Sequence, residues 1–546
     1  MTTRLRALLP SRADYAGARR SWPRDLAAGL TVGVVALPLA LAFGVASGVG
    51  AGAGLVTAVI AGAVAAVFGG SHVQVSGPTG AMTVVLIPLV AAHGPSVVYP
   101  VAILAGVLVV AAAVLRVGRL LAYVPWPLVE GFTVGIAVVI AAQELPSGLG
   151  VAKPDVDNAA AGAVLAVGRF AQHPHWAVLA LLLVTMGLTA LLPRLHRTLP
   201  AGLIAVVVAT LAVRVFGLSV PLLGALPAGL PAPHLPAFGD TPALVGPAIT
   251  VAFLAALESL LSAQVADGLS DRPRYDPDRE LFGQGLANIA SGIGGGLPAT
   301  GAIARTAVNA RAGAHTRLAA LAHAAILAVT VYTAAPLVAR IPTVALAGVL
   351  IVTAYRMVDQ RAVRAVVASS PGDRLVLIVT AVATVAFDLL RAVLAGLVVA
   401  AVLALAQLSR TVRATAEPVS PDGLDDDAEH ELVKRHVLVY RVDGPLFFAA
   451  AARFLTTFAT SSDVRVVILR LGSLDMLDAT GARALADLMD DLEQRGIVVL
   501  VKCVEPAHAR MLRQVSALPD DCAADHLFGD LPAALAHAQS HLAVGA

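Results

Sequence analysis

Apolar residues run together along most of this chain, with little alternation. Uninterrupted stretches of Ala, Val, Leu and Gly lie near 25–46, 53–69, 79–92, 98–115, 124–143, 176–193, 198–216, 246–265, 281–295, 302–312, 316–338, 343–356, 373–388 and 391–409. They lack the period-two pattern of a barrel strand, and most are close to the roughly 20 residues a helix needs to cross a hydrocarbon core of about 30 Å. The pattern predicts fourteen helical spans. The third and tenth runs are too short to cross alone, and each follows a break: Gly77-Pro78-Thr79-Gly80-Ala81 before one, Leu297-Pro298-Ala299-Thr300-Gly301-Ala302 before the other. Pro and Gly interrupt helical hydrogen bonding, and inside a bilayer an interrupted helix persists only where protein or a polar cavity satisfies its backbone. Both breaks hold third rank in a set of seven. Seven being odd, the second set enters from the opposite side, which predicts two inverted repeats with half-helices meeting near the midplane.

Beyond Arg413 the pattern changes. Glu417-Pro418, Pro421-Asp422-Gly423 and Asp425-Asp426-Asp427 read as a solvated linker. Strand-like runs at 435–441, 464–471 and 497–503 then alternate with helical patterns at 479–494 and 530–543, predicting a small α/β domain. The expected organisation is an N-terminal segment over 1–24, a membrane domain over 25–412 with repeats at about 25–216 and 246–412, an acidic linker over 413–433, and the α/β domain over 434–546.

Composition agrees: 58% hydrophobic and 14% charged residues, with a mean hydropathy of +0.82, exclude a soluble globule of ordinary makeup. A net charge of +2 names no nucleic acid or acidic partner. Cys503 and Cys522 have neither the number nor the spacing of a disulfide framework or zinc site. Arg4, Arg6, Arg12, Arg19, Arg20 and Arg24 precede the first run without a small-residue cleavage signature, as in an uncleaved cytoplasmic segment. With that end inside, the predicted inner turns collect fifteen arginines, from Arg116 to Arg413 and including Arg197 and Arg272. The outer side has only Lys153, Arg169, Arg214, Arg340 and Arg391. This bias places both termini in the cytoplasm of a cytoplasmic-membrane protein.

Half-helices starting at Thr79 and near Thr300 would aim unbonded amides and positive dipole ends at the space between them, which attracts anions. Thr79 and Thr300 add hydroxyl donors, and Gly80 and Gly301 admit a ligand close to the backbone. With Ala81, Ala302, Ala304 and Arg305 they form the candidate substrate site; the competing reading is that small residues only permit tight helix crossing. Arg305 lies where an uncompensated charge costs roughly 2.5 to 3.5 kcal/mol. An anion or a cavity carboxylate would compensate it; otherwise it snorkels to the interface beside Arg311. Glu258, with Ser262 one turn on, is the clearest intramembrane carboxylate and the candidate coupling group, through proton exchange, cation ligation or an ion pair with Arg305. Glu130, Glu144 and Asp388 fall near span ends, where hydration accounts for them. No nucleophile–base pair, metal cluster or phosphate loop marks an enzyme, and no cofactor or metal is implied.

Five segments resemble the sulfate permease (SulP) family of anion transporters: residues 36–44 (Ala-Leu-Pro-Leu-Ala-Leu-Ala-Phe-Gly), 76–81 (Ser-Gly-Pro-Thr-Gly-Ala), 258–261 (Glu-Ser-Leu-Leu), 280–288 (Glu-Leu-Phe-Gly-Gln-Gly-Leu-Ala-Asn) and 440–448 (Tyr-Arg-Val-Asp-Gly-Pro-Leu-Phe-Phe). The resemblance implies an α-helical polytopic fold of fourteen spans in two inverted repeats, a core domain moving against a gate domain, a cytoplasmic STAS domain, and anion binding between the third and tenth helices. Homodimerisation is expected from the same source. The first span is most similar to sodium-dependent bicarbonate transporters of cyanobacteria. Where those use an aspartate and a threonine for sodium, this chain has Glu258 and Ser262, and it adds Arg305, a fixed cation that could replace the ion. Leu39 stands where many relatives carry a glutamine. Asp478-Ala479-Thr480-Gly481 resembles a site phosphorylated in some free-standing STAS proteins, with Thr480 at the modified position; helix capping is the alternative. The expected function is secondary active transport of sulfate, bicarbonate or a carboxylate, by proton coupling or exchange. The rivals are an uncoupled anion channel, sodium-coupled bicarbonate uptake, and a membrane-bound sensor with a STAS output.

Overall fold

The computed structural model describes residues 8–15, 17–119, 124–156, 158–195, 199–224, 229–238, 241–270, 274–387, 389–417, 436–451, 463–502, 504–515 and 526–544. Asp388, Arg197, Arg272, Cys503, Cys522 and the linker acids Asp425 to Asp427 lie outside the described residues. The chain divides into two units, 1–398 and 399–546.

Every apolar run of the sequence is a helix. In order they are α1 (Ala18–Ala46), α2 (Ala51–Phe68), α3 (Gly80–His93), α4 (Val98–Val114), α5 (Trp126–Leu149), α7 (Trp176–Leu195), α8 (Ala201–Phe216), α9 (Thr241–Leu269), α10 (Pro277–Ile293), α11 (Ile303–Arg311), α12 (Leu318–Val338), α13 (Thr343–Met357), α15 (Pro371–Ala386) and α16 (Leu389–Ser409). Among the described residues, nine helical segments are long and apolar enough to cross a bilayer. Two further helices, α6 (Ala159–Gln172) and α14 (Gln360–Ala368), fall in stretches with no predicted span. Helix α6 is apolar over its first ten residues but at 14 residues is shorter than a span, α14 is nine residues long and carries Arg361 and Arg364 three positions apart, and Asn158 and Asp359 cap their first turns. Helix α5 runs six residues beyond its expected end at 143, which corrects one reading: Glu144 is buried at 7% exposure, so hydration does not account for it.

Close helix crossings rest on small residues. A Cβ on Gly106 of α4 would stand 2.6 Å from the Gly285 carbonyl oxygen of α10, so bare backbone is what lets these helices touch. Helix α10 is the least expected packing element. Glu280, Gln284 and Asn288 follow one another at i+4 on a single face, and all three are buried.

The N-terminal segment is pinned by one carboxylate. Asp14 accepts both guanidinium nitrogens of Arg279 at 2.7 and 2.8 Å, and the amide and hydroxyl of Ser11 at 2.6 and 2.9 Å. Burial pushes the Asp14 carboxyl up, but the bonds from Arg279 and Ser11 outweigh it and hold the group well below the usual carboxylate range. A depressed carboxyl contributes stability that is present above the unfolded value of about 3.9 and lost as pH falls through the folded one. The segment therefore stays docked at pH 4. Asp14→Asn strands a largely buried arginine, at about 3–5 kcal/mol. Hydrogen exchange at the Ser11 amide is expected to accelerate about 100-fold at pH 7; unchanged exchange would mean that Asp14 does not hold the segment.

The second unit is built on a five-stranded sheet in the order β3 (Arg413–Glu417), β4 (Val437–Leu446), β5 (Val466–Leu477), β6 (Val498–Lys502) and β7 (Leu527–Phe528). β3 runs antiparallel to β4, and the other pairings are parallel. β4 and β5 are apolar on both faces, as sheets covered on both sides require. Tyr440, Val442, Val467 and Leu469 pack with Leu485 and Leu488 of α17 (Ala479–Gln494) and Leu512 of α18 (Pro506–Gln514). Val437, Val439, Val466 and Ile468 pack with Ala534, Ala538 and Leu542 of α19 (Leu531–Val544).

Candidate functional site

The two breaks pair with each other. Ser76–Gly77 (β1) and Thr300–Gly301 (β2) form a two-stranded antiparallel ribbon with Ser76 opposite Gly301 and Gly77 opposite Thr300. Helix α3 leaves the first strand and α11 the second. Backbone this irregular is tolerated among apolar helices only if its polar groups are satisfied by protein, and the polar face of α10 does much of that. Asn288 brackets Ala299, donating to its carbonyl at 2.9 Å and accepting its amide at 2.9 Å. Gln284 donates to the Ser76 hydroxyl, and Glu280 accepts the amides of Gly70 and Ser71. From other helices, Thr57 accepts the Leu297 amide at 2.6 Å, Thr306 accepts the Val75 amide at 3.1 Å, and Asn309 donates to the Val73 carbonyl at 2.8 Å.

Thr79 occupies the N-cap position of α3, yet its side chain does not cap the helix. It donates instead to Glu258 Oε2 at 2.8 Å, and Thr300 donates to the same oxygen at 2.7 Å. One carboxylate on α9 thus ties the starts of both half-helices together. Among the described residues, the amides of Gly80, Ala81 and Met82 in α3 and of Ile303, Ala304 and Arg305 in α11 meet no acceptor. They are the unbonded first-turn donors on which anion binding at helix N-termini depends. Two expected amide donors are already engaged: Gly301 donates to Ser259 Oγ at 3.0 Å, and Ala302 to the Val75 carbonyl at 2.8 Å. Ala304 is exposed.

Arg305 is 2% exposed. Its Nη2 donates to the Pro78 carbonyl at 2.6 Å, while Nη1 is buried without a partner. It makes no ion pair with Glu258, although their charges lie close enough to interact. Ser262 shares a 2.9 Å hydrogen bond with Thr306 and makes none with Glu258. Two groups escaped the sequence reading. Both amide atoms of Gln74 are buried without a partner, and a Cβ on Gly301 would collide with that amide. Both ring nitrogens of His323 are also buried and unpartnered. The only sequence signal was an uncharged polar residue in apolar surroundings, which is weak. Two apolar clefts, one lined by Leu55, Val56, Thr330 and Val338, the other by Val134, Val138, Val382 and Val385, include no residue of the two breaks.

In the second unit Asp478, not Thr480, makes the cap of α17. It accepts the Gly481 amide at 2.7 Å and the Phe448 amide at 3.0 Å. Thr480 is exposed in the first turn.

Many apolar helices, two of them short and facing each other across paired breaks, followed by an α/β unit with a mixed sheet, define a multi-pass membrane protein of the anion-transporter class. Residues 23–380 match the sulfate permease family, and residues 431–530 match the STAS domain. The chain belongs to the sulfate permease family. It is 31% identical to "Putative sulfate transporter YvdB" of Bacillus subtilis (strain 168) over 87% of this chain and 90% of that one. It is also 31% identical to the bicarbonate transporter BicA of Synechocystis, over 88% of each. The solved transmembrane domain of a cyanobacterial BicA superposes with a TM-score of 0.62 at 34% identity, covering 69% of this chain and 97% of that one. The structure of SLC26A9 shares the fold over 96% of this chain and 91% of that one, with a TM-score of 0.80 at 16% identity.

Proposed function

We propose that this protein is a secondary active transporter of a small anion, sulfate, bicarbonate or a carboxylate, in the cytoplasmic membrane. It works by alternating access, through proton coupling or exchange, with both termini in the cytoplasm. The observation that carries this reading is the Glu258 carboxylate, which accepts from Thr79 and Thr300 at once and so places a titratable group between the two half-helices. Unbonded amides of both half-helices and the Arg305 guanidinium supply the positive surroundings for the cargo. Relatives named for sulfate and for bicarbonate support that substrate range. A fixed cation in Arg305 favours protons over sodium as the coupling ion, since it fills electrostatically the role of a bound metal cation.

The test is uptake of labelled sulfate, bicarbonate and dicarboxylates by proteoliposomes, with proton and sodium gradients imposed separately. Accumulation above equilibrium under a proton gradient or against a counter-anion is expected. Flux that only dissipates gradients would identify a channel, and accumulation under a sodium gradient alone would identify sodium-coupled uptake.

Gln74 enters the same reading as a donor with no partner in the protein. Gln74→Leu keeps the volume and removes the amide, so KM for the anion is expected to rise about tenfold, the effect of one lost hydrogen bond to a charged group. An unchanged KM would remove Gln74 from the site.

A further inference from the structure

The sheet unit gathers a second set of ligating side chains. His537 and His541 lie one turn apart on α19, so their imidazoles leave the helix on one side. Ala534, Ala538 and Leu542 turn the adjacent face of α19 onto the sheet, which leaves the two histidines at its border. The ring of His537 packs against Phe528 of β7 at 5.3 Å. His526 is placed by the sheet: its carbonyl accepts the Val501 amide at 2.7 Å, and Leu527 and Phe528 then pair with Val501 and Lys502 of β6.

One nitrogen from each of the three rings lies within 4.8 Å of the other two. The Nε2 atoms of His537 and His541 are 3.2 Å apart. A tetrahedral ion with metal–nitrogen bonds of about 2.0–2.1 Å separates neighbouring ligand nitrogens by about 3.3 Å, so this pair already has ligand spacing. The His526 nitrogen lies within 4.8 Å of both, so it has at most about 1.5 Å to close. The three rings also pack edge-on against one another, with centroids 4.9 to 6.1 Å apart, which turns their nitrogens toward a common point. His526 and His537 are half-buried and His541 is exposed, giving an ion a way in and room for a water as fourth ligand.

We propose that His526, His537 and His541 form a binding site for one divalent transition-metal ion of the kind imidazole suits, such as zinc, nickel or cobalt. The ion bridges the edge strand β7 and the C-terminal helix α19. β7 is two residues long and pairs on one side only, so a bond from the segment before it to α19 closes the edge of the sheet.

The test uses the full chain, purified without a polyhistidine tag, stripped with a chelator and titrated with zinc chloride. Elemental analysis after desalting is expected to give about one zinc per chain, and zinc is expected to raise the unfolding midpoint of the sheet unit by roughly 5 °C. His541→Ala leaves the core untouched because that side chain is exposed, and should weaken zinc binding about 100-fold with the same elution volume on size exclusion. His537→Ala combined with His541→Ala should abolish it. Less than about 0.2 equivalents of zinc on the unmodified chain, or equal binding by His541→Ala, would overturn the site.

Discussion

Arg305→Ala is expected to abolish anion uptake in proteoliposomes while the protein still elutes as a folded species. The guanidinium acts in two ways. Through Nη2 it holds the Pro78 carbonyl at 2.6 Å, bracing the turn between β1 and α3 from the far half of the membrane unit. Its second nitrogen, Nη1, is buried without a partner, and a Cβ on Gly77 would come within 2.7 Å of it, so the free donor sits against the first break. Losing the bond to Pro78 leaves one buried carbonyl unsatisfied, at about 1–3 kcal/mol, which a protein of this size survives. On the proposed function, losing the cation removes the fixed countercharge for a bound anion at a guanidinium that is itself only 2% exposed. There a missing charged partner is worth about 3–5 kcal/mol, or roughly 200- to 5,000-fold in affinity. Arg305→Lys separates the two roles. It keeps the charge and gives up the planar fork, so uptake persists with a higher KM. Uptake by Arg305→Ala at the unmodified KM would show that Arg305 serves only the Pro78 carbonyl.

The features most visible in the sequence were those that are expensive in a bilayer. Pro78 and Pro298 between glycines, and the charges of Glu258 and Arg305, stand out because an apolar helix excludes them, and the structure gathers all of these segments around one ribbon. Partner choice was not visible. Ser262 lies one turn from Glu258, and such spacing tells which residues share a face but not what faces them across the interface; Thr306 claims Ser262, while Thr79 and Thr300 claim Glu258. Glu280, Gln284 and Asn288 belonged to a recognisable segment with no evident task, and their role as a brace for both breaks emerges only when Gly70, Ser76 and Ala299 come alongside. Helices α6 and α14 were hidden because both are too short to span, and because Arg361 and Arg364 break the apolar run in α14. His526 was separated from His537 and His541 by a turn and by the start of α19, and only sheet pairing brings it back to them.

Glu258→Gln is expected to leave the site assembled and remove its dependence on protons. A glutamine carbonyl oxygen can accept from Thr79 and Thr300 as the carboxylate does, so the link between the half-helices survives the substitution. What disappears is a negative charge beside the cargo. An ionised Glu258 repels an incoming anion, and a protonated one does not, so proton and anion each favour the binding of the other, by the same factor in both directions. Uptake by the unmodified protein should therefore be greater at the lower of two loading-side pH values, by up to about tenfold for a coupling of about 1.4 kcal/mol. Glu258→Gln, fixed in the neutral form, should give equal uptake at both pH values, retain downhill flux, and fail to accumulate anion under an imposed proton gradient. Glu258→Ala removes both accepted hydrogen bonds as well and should lose most of the flux, because only the long 3.5 Å hydrogen bond from Thr300 to Thr79 then joins the two hydroxyls. A Glu258→Gln protein that still accumulates anion under a proton gradient with the unmodified pH profile would assign coupling to another group, and Glu258 would then be a structural clasp between the two half-helices.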